Sequence, residues 1–326
     1  MDDADLRAWP GRRVAAMAAC LVVTGFCAAV LVSFGPVHPF SLAEHFRLQL
    51  LLGGVAVAAL AGALALGAGW LDARWFDAAM FALLVDACVI VPDLASARRE
   101  AAAGAAAAPV RVLFVNVHTS SQDFAAVRRL ITGEQADIVG LVETDARWLR
   151  ELAPALEAYP ARIEAPRSDN FGMALYARDP LTGAAEHLAA TVPAILAETS
   201  VGGARVALAL LHPLPPVSAA VEETQLRHFD AVAARVRGAA APFVILGDLN
   251  AAPWSRAFAR LRGATGACDT RAGFGAQTSF PAGSWLLRIP IDHVLVACSI
   301  GVRDRRIGPD VGSDHLPVIA DLLVPR

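Results

Sequence analysis

The chain has 326 residues, of which 56% are hydrophobic, and a formal net charge of −3. This length accommodates one sizeable domain and a second, smaller one. Because there is no basic excess, the composition does not favour a protein that binds polyanions through bulk charge.

Three apolar segments near the N-terminus, residues 14–34, 48–71 and 75–92, are candidates for membrane-spanning helices. A helix needs about 20 apolar residues to cross a bilayer. A signal peptide is an alternative for the first segment, but that segment is longer than a typical signal core and a second span follows it. The third segment contains Asp77 and Asp86, and a carboxylate at the centre of a span costs about 2.5–3.5 kcal/mol.

The number of spans decides on which side of the membrane the rest of the chain lies. Arg98 and Arg99 favour two spans with a cytoplasmic remainder, because arginine accumulates on the cytoplasmic side. Residues 75–92 nevertheless have the length of a span, and Asp86 can be paired against neighbouring helices. We therefore predict that residues 1–95 form an anchor of three transmembrane helices and that the remainder is extracytoplasmic.

The segment AAAGAAAAP, residues 101–109, has low complexity and predicts a linker over residues 96–108. Residues 109–326 carry 21 arginines and 22 acidic residues, so they show no excess of positive charge for nucleic acid. Their short apolar runs alternate with segments of helical period, which predicts an α/β domain with helix-covered sheets. The predicted strands are 111–117, 136–143, 174–176, 206–211, 243–247, 291–297 and 317–323, and the predicted helices include 124–131 and 226–236.

Acids, amides and imidazoles occur near one end of most predicted strands. They are Asn116, Glu143, His212, Asp248, Asn250, Asp292, Asp314 and His315. One such residue is commonly just part of a turn. A whole series on separate strands instead favours a shared site, because burying these groups without partners costs several kcal/mol each.

The ordered motifs FVNVH, LVETD, LLHP, ILGDLN, IDHVL and SDHLPV resemble the endonuclease/exonuclease/phosphatase superfamily. The resemblance covers about residues 109–326, and GDLN, IDHVL and SDH are its most specific parts. It implies a DNase I-like catalytic domain, a two-sheet αββα sandwich, preceded by a bundle of transmembrane helices as in the membrane-anchored bacterial branch. A calcineurin-like metallophosphatase is excluded, because its upstream Asp-x-His and downstream Gly-Asn-His motifs are missing.

The resemblance also implies residue roles for a phosphoester hydrolase that depends on Mg²⁺, with Mn²⁺ as the alternative metal. Glu143 corresponds to the main metal ligand, with Asn116 and Asp314 close by. His315 corresponds to the general base, and Asp292 to the carboxylate that orients the imidazole and stabilises its charged form.

Three further residues take roles at the phosphoryl group. Asp248 corresponds to the residue that positions the attacking water, and Asn250 to a hydrogen-bond donor for a phosphoryl oxygen. His212 corresponds to a second histidine that contacts phosphate or assists the leaving group. The same resemblance places the protein in a bacterial inner membrane as a multi-pass protein.

Fold does not determine substrate. Anchoring confines the site near lipid headgroups, so we predict hydrolysis of a phosphodiester, phosphomonoester or pyrophosphate that is lipid-linked, with membrane lipids as partners. A small phosphorylated molecule is also compatible. One alternative is a nuclease of the same superfamily, with nucleic acid less favoured. Another is a non-catalytic interaction protein, which predicts gaps in the metal and base residues.

Two features of the last hundred residues leave alternatives open. Apolar side chains precede the IDHVL strand, namely Phe274, Phe280, Trp285, Leu286 and Leu287. They form either a membrane-facing lip or ordinary core. Cys268 and Cys298 lie on or near predicted strands, and in an oxidising compartment they form a disulfide only if those strands are neighbours.

Overall fold

The computed structural model describes residues 10–35, 38–67, 72–98 and 107–326. The chain divides into two compact units, Met1–Pro92 and Asp93–Arg326. Most of the predicted linker, residues 99–106, lies outside the described residues, as do the last four residues of the second predicted span, 68–71.

Three helices make up most of the N-terminal unit: α1 (Pro10–Val32), α2 (Arg47–Gly62) and α3 (Ala73–Leu94). A 3₁₀ turn precedes α2 and a π-helical turn continues it. Three stretches are long and apolar enough to cross a membrane: Val14–Val32, Phe40–Ala65 and Ala73–Leu94. They overlap the three predicted segments, although the second begins eight residues earlier than expected.

The carboxylate inside the third stretch has a partner. Asp86 is buried in α3, and its Oδ1 atom lies 3.0 Å from Nη1 of Arg47. The other terminal nitrogen of Arg47 donates to the carbonyl of Ser33 at 2.9 Å. A buried carboxylate is tolerated in such a helix when a counter-charge satisfies it, so this pair accounts for an acidic residue in an otherwise apolar segment.

The C-terminal unit contains two six-stranded sheets. The first sheet has the order β11-β12-β1-β2-β4-β3, and the second has the order β5-β6-β7-β8-β10-β9. The strands are β1 (Ala107–Asn116), β2 (Ile138–Val142), β3 (Ala161–Ala165), β4 (Met173–Ala177), β5 (Leu181–Glu186), β6 (Ala194–Val201), β7 (Ala204–Leu211), β8 (Phe243–Asp248), β9 (Ala267–Asp269), β10 (Asp292–Ala297), β11 (Gly301–Ile307) and β12 (Val318–Pro325). The helices are α4 (Phe124–Glu134), α5 (Ala146–Leu156), α6 (Ala219–Arg237) and α7 (Arg256–Thr265).

Apolar side chains fill three layers, which produces the predicted αββα sandwich. The central layer joins the two sheets and includes Phe114 and Leu246. Helices α4 and α5 pack on the outer face of the first sheet through residues such as Trp148. Helices α6 and α7 cover the second sheet through residues such as Phe229 and Phe258. Each helix therefore buries one apolar face against a sheet.

The two sheets have the same connectivity, and it brings the polar residues at the strand ends to one edge. Each sheet contains one parallel pair, β1 with β2 and β7 with β8. The carboxyl ends of each parallel pair lie at one edge of its sheet. Strand β12 runs antiparallel to β1, and β10 runs antiparallel to β8, so both of them begin at those same edges. The residues that end β1, β2, β7 and β8 therefore meet the residues that begin β10 and β12.

Several elements differ from the predicted ones. Strands β3, β5, β6, β9 and β11 and helices α5 and α7 were not expected from the sequence. The edge strand β5 (LTGAAE) is mostly exposed and lacks apolar alternation, and β11 (GVRDRRI) is dominated by charge. An exposed edge strand needs few apolar residues, so its hydropathy signal is weak.

A disulfide joins two neighbouring segments of the second sheet. Cys268 lies in β9 opposite Val296 of β10, and Cys298 follows directly after β10. The two cysteines are bonded, with Cα atoms 5.2 Å apart. The strands β9 and β10 are thus neighbours, as a disulfide between these two cysteines requires.

Candidate active site

At the first-sheet side of the site, one amide links two carboxylates. Asn116, the last residue of β1, donates through Nδ2 to Oε1 of Glu143 at 3.0 Å and to Oδ2 of Asp248 at 3.2 Å. Its Oδ1 accepts from the backbone N–H of His118 at 3.0 Å. All three side chains are buried, so Asn116 holds one carboxylate from each sheet at a fixed separation.

The backbone at Glu143 is in an unusual conformation. This residue follows β2 with a φ angle of 61°, a left-handed value that costs a non-glycine residue about 1–3 kcal/mol. Thr119 stabilises it twice, since its N–H donates to Glu143 Oε2 at 3.2 Å and its hydroxyl donates to the Glu143 carbonyl at 2.9 Å. The conformation directs the carboxylate of Glu143 toward the amide of Asn116.

At the second-sheet side, two aspartates face each other across a strand pair. Asp248 ends β8, and its register partner Asp292 begins β10. His315 reaches them from the segment before β12 of the first sheet. Its Nδ1 lies 2.8 Å from Oδ2 of Asp292, and its Nε2 lies 3.6 Å from Oδ2 of Asp248. This imidazole therefore connects the two sheets.

Burial and the charge of the partner act in opposite directions on the pKa values of His315 and Asp248. Burial lowers the pKa of His315, but the charges of Asp292 and Asp248 and the hydrogen bond to Asp292 outweigh it and raise that pKa to about 10. Burial raises the pKa of Asp248 to about 7, against the effect of the His315 charge. Nδ1 of His315 is the natural donor to Asp292, which leaves Nε2 directed at Asp248.

His212 adds a second, uncharged imidazole. It follows β7, is buried, and places Nε2 3.5 Å from Oδ2 of Asp248. Burial, followed by the charge of His315, lowers the pKa of His212 to about 3. The Phe171 ring packs on it with centroids 5.1 Å apart. At neutral pH His212 can therefore act as a hydrogen-bond donor without carrying a positive charge.

Asn250 differs in part from the predicted arrangement. Its side-chain Nδ2 donates to the carbonyl of Pro213 at 3.0 Å, so one of its two amide hydrogens is used within the protein. Its backbone N–H donates to Oδ1 of Asp248 at 3.0 Å, with a left-handed φ of 48°. Asn250 thus orients Asp248, and its second amide hydrogen is the one that a phosphoryl oxygen could accept.

His118 was not assigned a role from the sequence. Its Nδ1 lies 3.0 Å from Oδ1 of Asp314 and 3.9 Å from Oε2 of Glu143. Its Nε2 lies 2.6 Å from the hydroxyl of Ser120. The only sequence signal was its position two residues after Asn116 in FVNVH. In the structure His118 lies between the two carboxylates predicted to hold the metal.

Three further residues position His315 or Asp292. Ser313 donates its hydroxyl to the Asn116 carbonyl at 2.7 Å and accepts from the N–H of His315 at 3.0 Å. The Phe280 ring packs on the His315 imidazole with centroids 4.5 Å apart. Buried Arg305 donates to the carbonyl of Asp292 at 3.2 Å. Each of these residues limits the positions open to the base and its partner.

The donor set suits a divalent cation. Ligand atoms of Asp248, Asp292 and His315 lie within 4.8 Å of one another. The buried Oδ1 atom of Asp292 has no hydrogen-bond partner among the described residues. Carboxylate oxygens are the ligands that Mg²⁺ and Mn²⁺ prefer. The carboxylates of Glu143 and Asp314 face the same edge, so two adjacent parts of the site offer oxygen ligands.

Comparison with known proteins accounts for this arrangement. Residues 113–315 match the model of the family described as "Endonuclease/Exonuclease/phosphatase family", a range that includes every predicted site residue. Members of that family hydrolyse phosphoester bonds and depend on divalent metal. Comparison with curated proteins gave no match.

Solved structures share the fold at low sequence identity. An endonuclease/exonuclease/phosphatase from Beutenbergia cavernae is 21% identical, with a TM-score of 0.52 over 67% of this chain and 72% of that one. A family protein from Bacteroides thetaiotaomicron is 16% identical, with a TM-score of 0.58 over 68% and 99%. TDP2 from D. rerio, complexed with a single-strand DNA product, is 15% identical, with a TM-score of 0.54 over 66% and 98%. The sandwich is therefore DNase I-like.

Proposed function

The chain belongs to the endonuclease/exonuclease/phosphatase family, and on this premise we propose that it is a membrane-anchored, divalent-metal-dependent phosphoesterase acting on a lipid-linked phosphate. One observation carries the hydrolytic part of the proposal. The imidazole of His315 is held by Asp292 at 2.8 Å while its Nε2 faces Asp248 at 3.6 Å. This geometry suits a base that takes a proton from a water lying beside the two groups and in contact with both Nε2 and Asp248.

Several side chains of the site would take part in the proton transfer and in binding the phosphoryl group. Because the pKa of His315 is raised to about 10, only the neutral form of its imidazole acts as the base. In that form Nε2 accepts the proton from the attacking water, and Asp292 stabilises the imidazolium that forms. Asp248 accepts a hydrogen bond from the same water and so aims its oxygen at phosphorus. A neutral His212 donates to a phosphoryl oxygen or to the leaving group, and the second amide hydrogen of Asn250 serves a phosphoryl oxygen.

The first-sheet residues are those that we assign to the metal. Glu143, with Asp314 and Asn116 close by, would hold Mg²⁺ or Mn²⁺, and the ion would neutralise charge on the phosphoryl group. His118 keeps Asp314 beside Glu143 through the contacts at 3.0 and 3.9 Å. The strained conformation of Glu143 keeps its carboxylate at the edge shared by the two sheets.

Two features support a lipid-linked substrate over nucleic acid. Three helices of the same chain are long and apolar enough to cross a membrane, which would keep the site near lipid headgroups. Residues 109–326 have one more acidic residue than arginines, whereas nucleic-acid binding draws its affinity from phosphate neutralisation by basic side chains. A nuclease is the second candidate, because the related D. rerio TDP2 was crystallised with a DNA product.

We also propose a bacterial inner-membrane location with an extracytoplasmic catalytic domain. Three spans with a cytoplasmic N-terminus give that orientation. The bond between Cys268 and Cys298 supports it, because disulfides persist in oxidising compartments outside the cytoplasm. Alkaline phosphatase fused after Arg326 should be active, and a green fluorescent reporter exported by the Sec route should be dark. The reverse result would place the domain in the cytoplasm.

A substrate screen tests the proposed activity. The full chain in detergent, supplied with Mg²⁺, is offered phosphatidic acid, a lipid pyrophosphate and duplex DNA. We expect hydrolysis of a lipid phosphate or pyrophosphate to exceed DNA cleavage and to stop on addition of EDTA. Efficient, salt-sensitive cleavage of DNA would instead establish the nuclease.

A further inference from the structure

Exposed large apolar side chains in the catalytic domain are confined to two loops. Within residues 107–326, all of which the structure describes, the exposed large hydrophobic residues are Val217, Trp285, Leu286 and Leu287. Trp285 is the most exposed, at 82%. Large apolar side chains on a soluble surface that cluster in this way usually mark an interaction site.

Both loops leave the sheet edge that carries the active site. Val217 lies five residues after His212, in the loop that follows β7. Residues 281–288 precede β10, whose first residue is Asp292. Strands β7 and β8 are parallel and β10 is antiparallel to β8, so the end of β7 and the start of β10 lie at the same edge. The exposed apolar residues therefore belong to loops at the sheet edge that carries the site.

The longer loop is fixed at its base and exposed at its tip. Phe280 and Ile289 form a bridge across the base, and Phe280 packs on His315. The N–H of Ala282 donates to the carbonyl of Asp314 at 2.7 Å. The tip, residues 285–287, extends beyond these contacts into solvent. A loop built in this way holds apolar side chains out at a defined distance from the catalytic residues.

In the structure, the five apolar residues that precede the IDHVL strand fall into two groups. Phe274 packs against the core between the sheets, and Phe280 packs on the imidazole of His315. Trp285, Leu286 and Leu287 remain exposed. Only the three residues at the tip, with Val217 of the other loop, form a surface that a partner can contact. We name these four residues the apolar rim.

The composition of the rim and its place in the chain favour a lipid bilayer as the partner. Residues 280–287 (FPAGSWLL) carry no charge, and tryptophan is enriched where a membrane meets water. Twelve residues separate the end of α3 from the start of β1, a length that spans at most about 45 Å when fully extended. The third candidate span therefore limits how far the start of β1 can lie from the bilayer surface.

On the premise that the chain is a phosphoesterase, we propose that the apolar rim inserts into the boundary between headgroups and acyl chains, so that the site receives a phosphate carried by a bilayer lipid. The substrate is then taken from the membrane surface and not from solution. Insertion requires only the few side chains of the rim, because the spans already hold the domain at the membrane and the rim has only to orient it.

A fluorescence experiment tests insertion without requiring activity. The full chain is reconstituted in vesicles of phosphatidylcholine or of its dibrominated form, whose bromines quench tryptophan within the acyl region. We expect bromination to quench the parent more strongly than Trp285→Phe, since only the parent has an indole at the rim. Equal quenching of both proteins would overturn the proposal. So would unquenched Trp285 together with a change of oligomeric state in Trp285→Ser/Leu287→Ser, which would identify a protein interface.

A second readout separates the rim from the active site. Trp285→Ser/Leu287→Ser and the matched control Trp285→Phe/Leu287→Ile are assayed on long-chain phosphatidic acid in vesicles and on its soluble dibutyryl form. We expect the ratio of vesicle to soluble hydrolysis to fall roughly tenfold for the serine variant and to stay near parental for the control. An unchanged ratio in the serine variant would contradict the proposed insertion of the rim into the bilayer. A parent protein that shows the quenching but hydrolyses neither form of phosphatidic acid, nor any phosphoester or pyrophosphate of the substrate screen, would support insertion of the rim and contradict the phosphoesterase.

Discussion

The two sheets of the catalytic domain have the same connectivity but present their polar residues in different surroundings. In the second sheet, His212, Asp248 and Asp292 are almost completely buried, and burial shifts the pKa values of His212 and Asp248 strongly. In the first sheet, Asp314 keeps 42% of its side chain exposed and Glu143 lies on a strained backbone. Desolvated groups suit proton transfer, whereas a pair of carboxylates with one exposed member, Asp314, suits an ion that enters with bound water.

His315 is where the two environments join. Its backbone belongs to the first sheet, since it lies three residues before β12, but its imidazole is bonded to Asp292 of the second sheet. We therefore propose that the second sheet carries the proton transfer and the first sheet binds the metal, with His315 acting in the second. Each of the following substitutions alters one of the two sheets or a helix packed on it.

Removal of the base should have the largest effect. For His315→Ala we expect the rate of phosphoester hydrolysis to fall about 10²–10⁴-fold, the usual contribution of a positioned general base. Initial rates on the lipid phosphate cleaved best by the parent measure this loss. A variant with near-parental rates on every cleaved substrate would show that the second sheet does not carry the base.

Neutralising the partner of the base should cost somewhat less and change the pH dependence. For Asp292→Asn we expect a loss of about 10²–10³-fold, because the amide no longer stabilises the imidazolium. The charge of Asp292 raises the pKa of His315, so its removal lowers that pKa. The acidic limb of the pH–rate profile should therefore move to lower pH. A shift to higher pH would contradict the assigned pairing.

The disulfide lies in the second sheet and should stabilise the catalytic domain. Cys268 and Cys298 are 30 residues apart, and closing a loop of that size in the unfolded chain is worth about 3 kcal/mol. We expect Cys298→Ser to lower the thermal unfolding midpoint of the catalytic domain, as followed by near-ultraviolet circular dichroism. Reductant should lower the midpoint of the parent similarly and leave the variant where it is. A variant that melts with the parent would show that the bond contributes nothing.

At neutral pH the smallest effect is expected from a histidine on α6, the helix that covers the second sheet. His228 on α6 is buried, and burial lowers its pKa to about 4, against about 6.5 in an unfolded chain. The unfolded state therefore binds the proton more readily, and stability falls as the pH drops from 6.5 toward 4, by up to about 1.4 kcal/mol per pH unit. His228→Leu should show a shallower loss of thermal midpoint below pH 6.5. Identical slopes in variant and parent would exclude His228 as a source of acid lability.

The sequence was informative where buried strands end in polar residues. The apolar runs before Asn116, Glu143, His212 and Asp248 predict central strands, and the structure places all four of these residues at one edge. The motif order then predicts the two-sheet fold by resemblance, and the structure confirms it. Central strands lie between two apolar layers, so their hydropathy signal is strong.

Other parts of the site depend on contacts between segments that are distant in sequence. The imidazole of His118 reaches Asp314, almost 200 residues later, through a backbone with φ of 55°, and no local pattern predicts such a turn. The resemblance separates metal ligands from catalytic residues, yet Asp248, Asp292 and His315 also come close enough to hold an ion. Distances between two sheets cannot be obtained from periodicity within one strand.

The position of the metal is therefore the central claim, and Mn²⁺ binding to the full chain, followed by electron paramagnetic resonance, tests it most directly. If the first sheet holds the ion, Glu143→Gln should weaken Mn²⁺ binding at least about tenfold, whereas His315→Gln should bind it like the parent although it is inactive. If His315→Gln loses Mn²⁺ and Glu143→Gln retains it, the ion lies among Asp248, Asp292 and His315, and the division of labour between the two sheets is wrong.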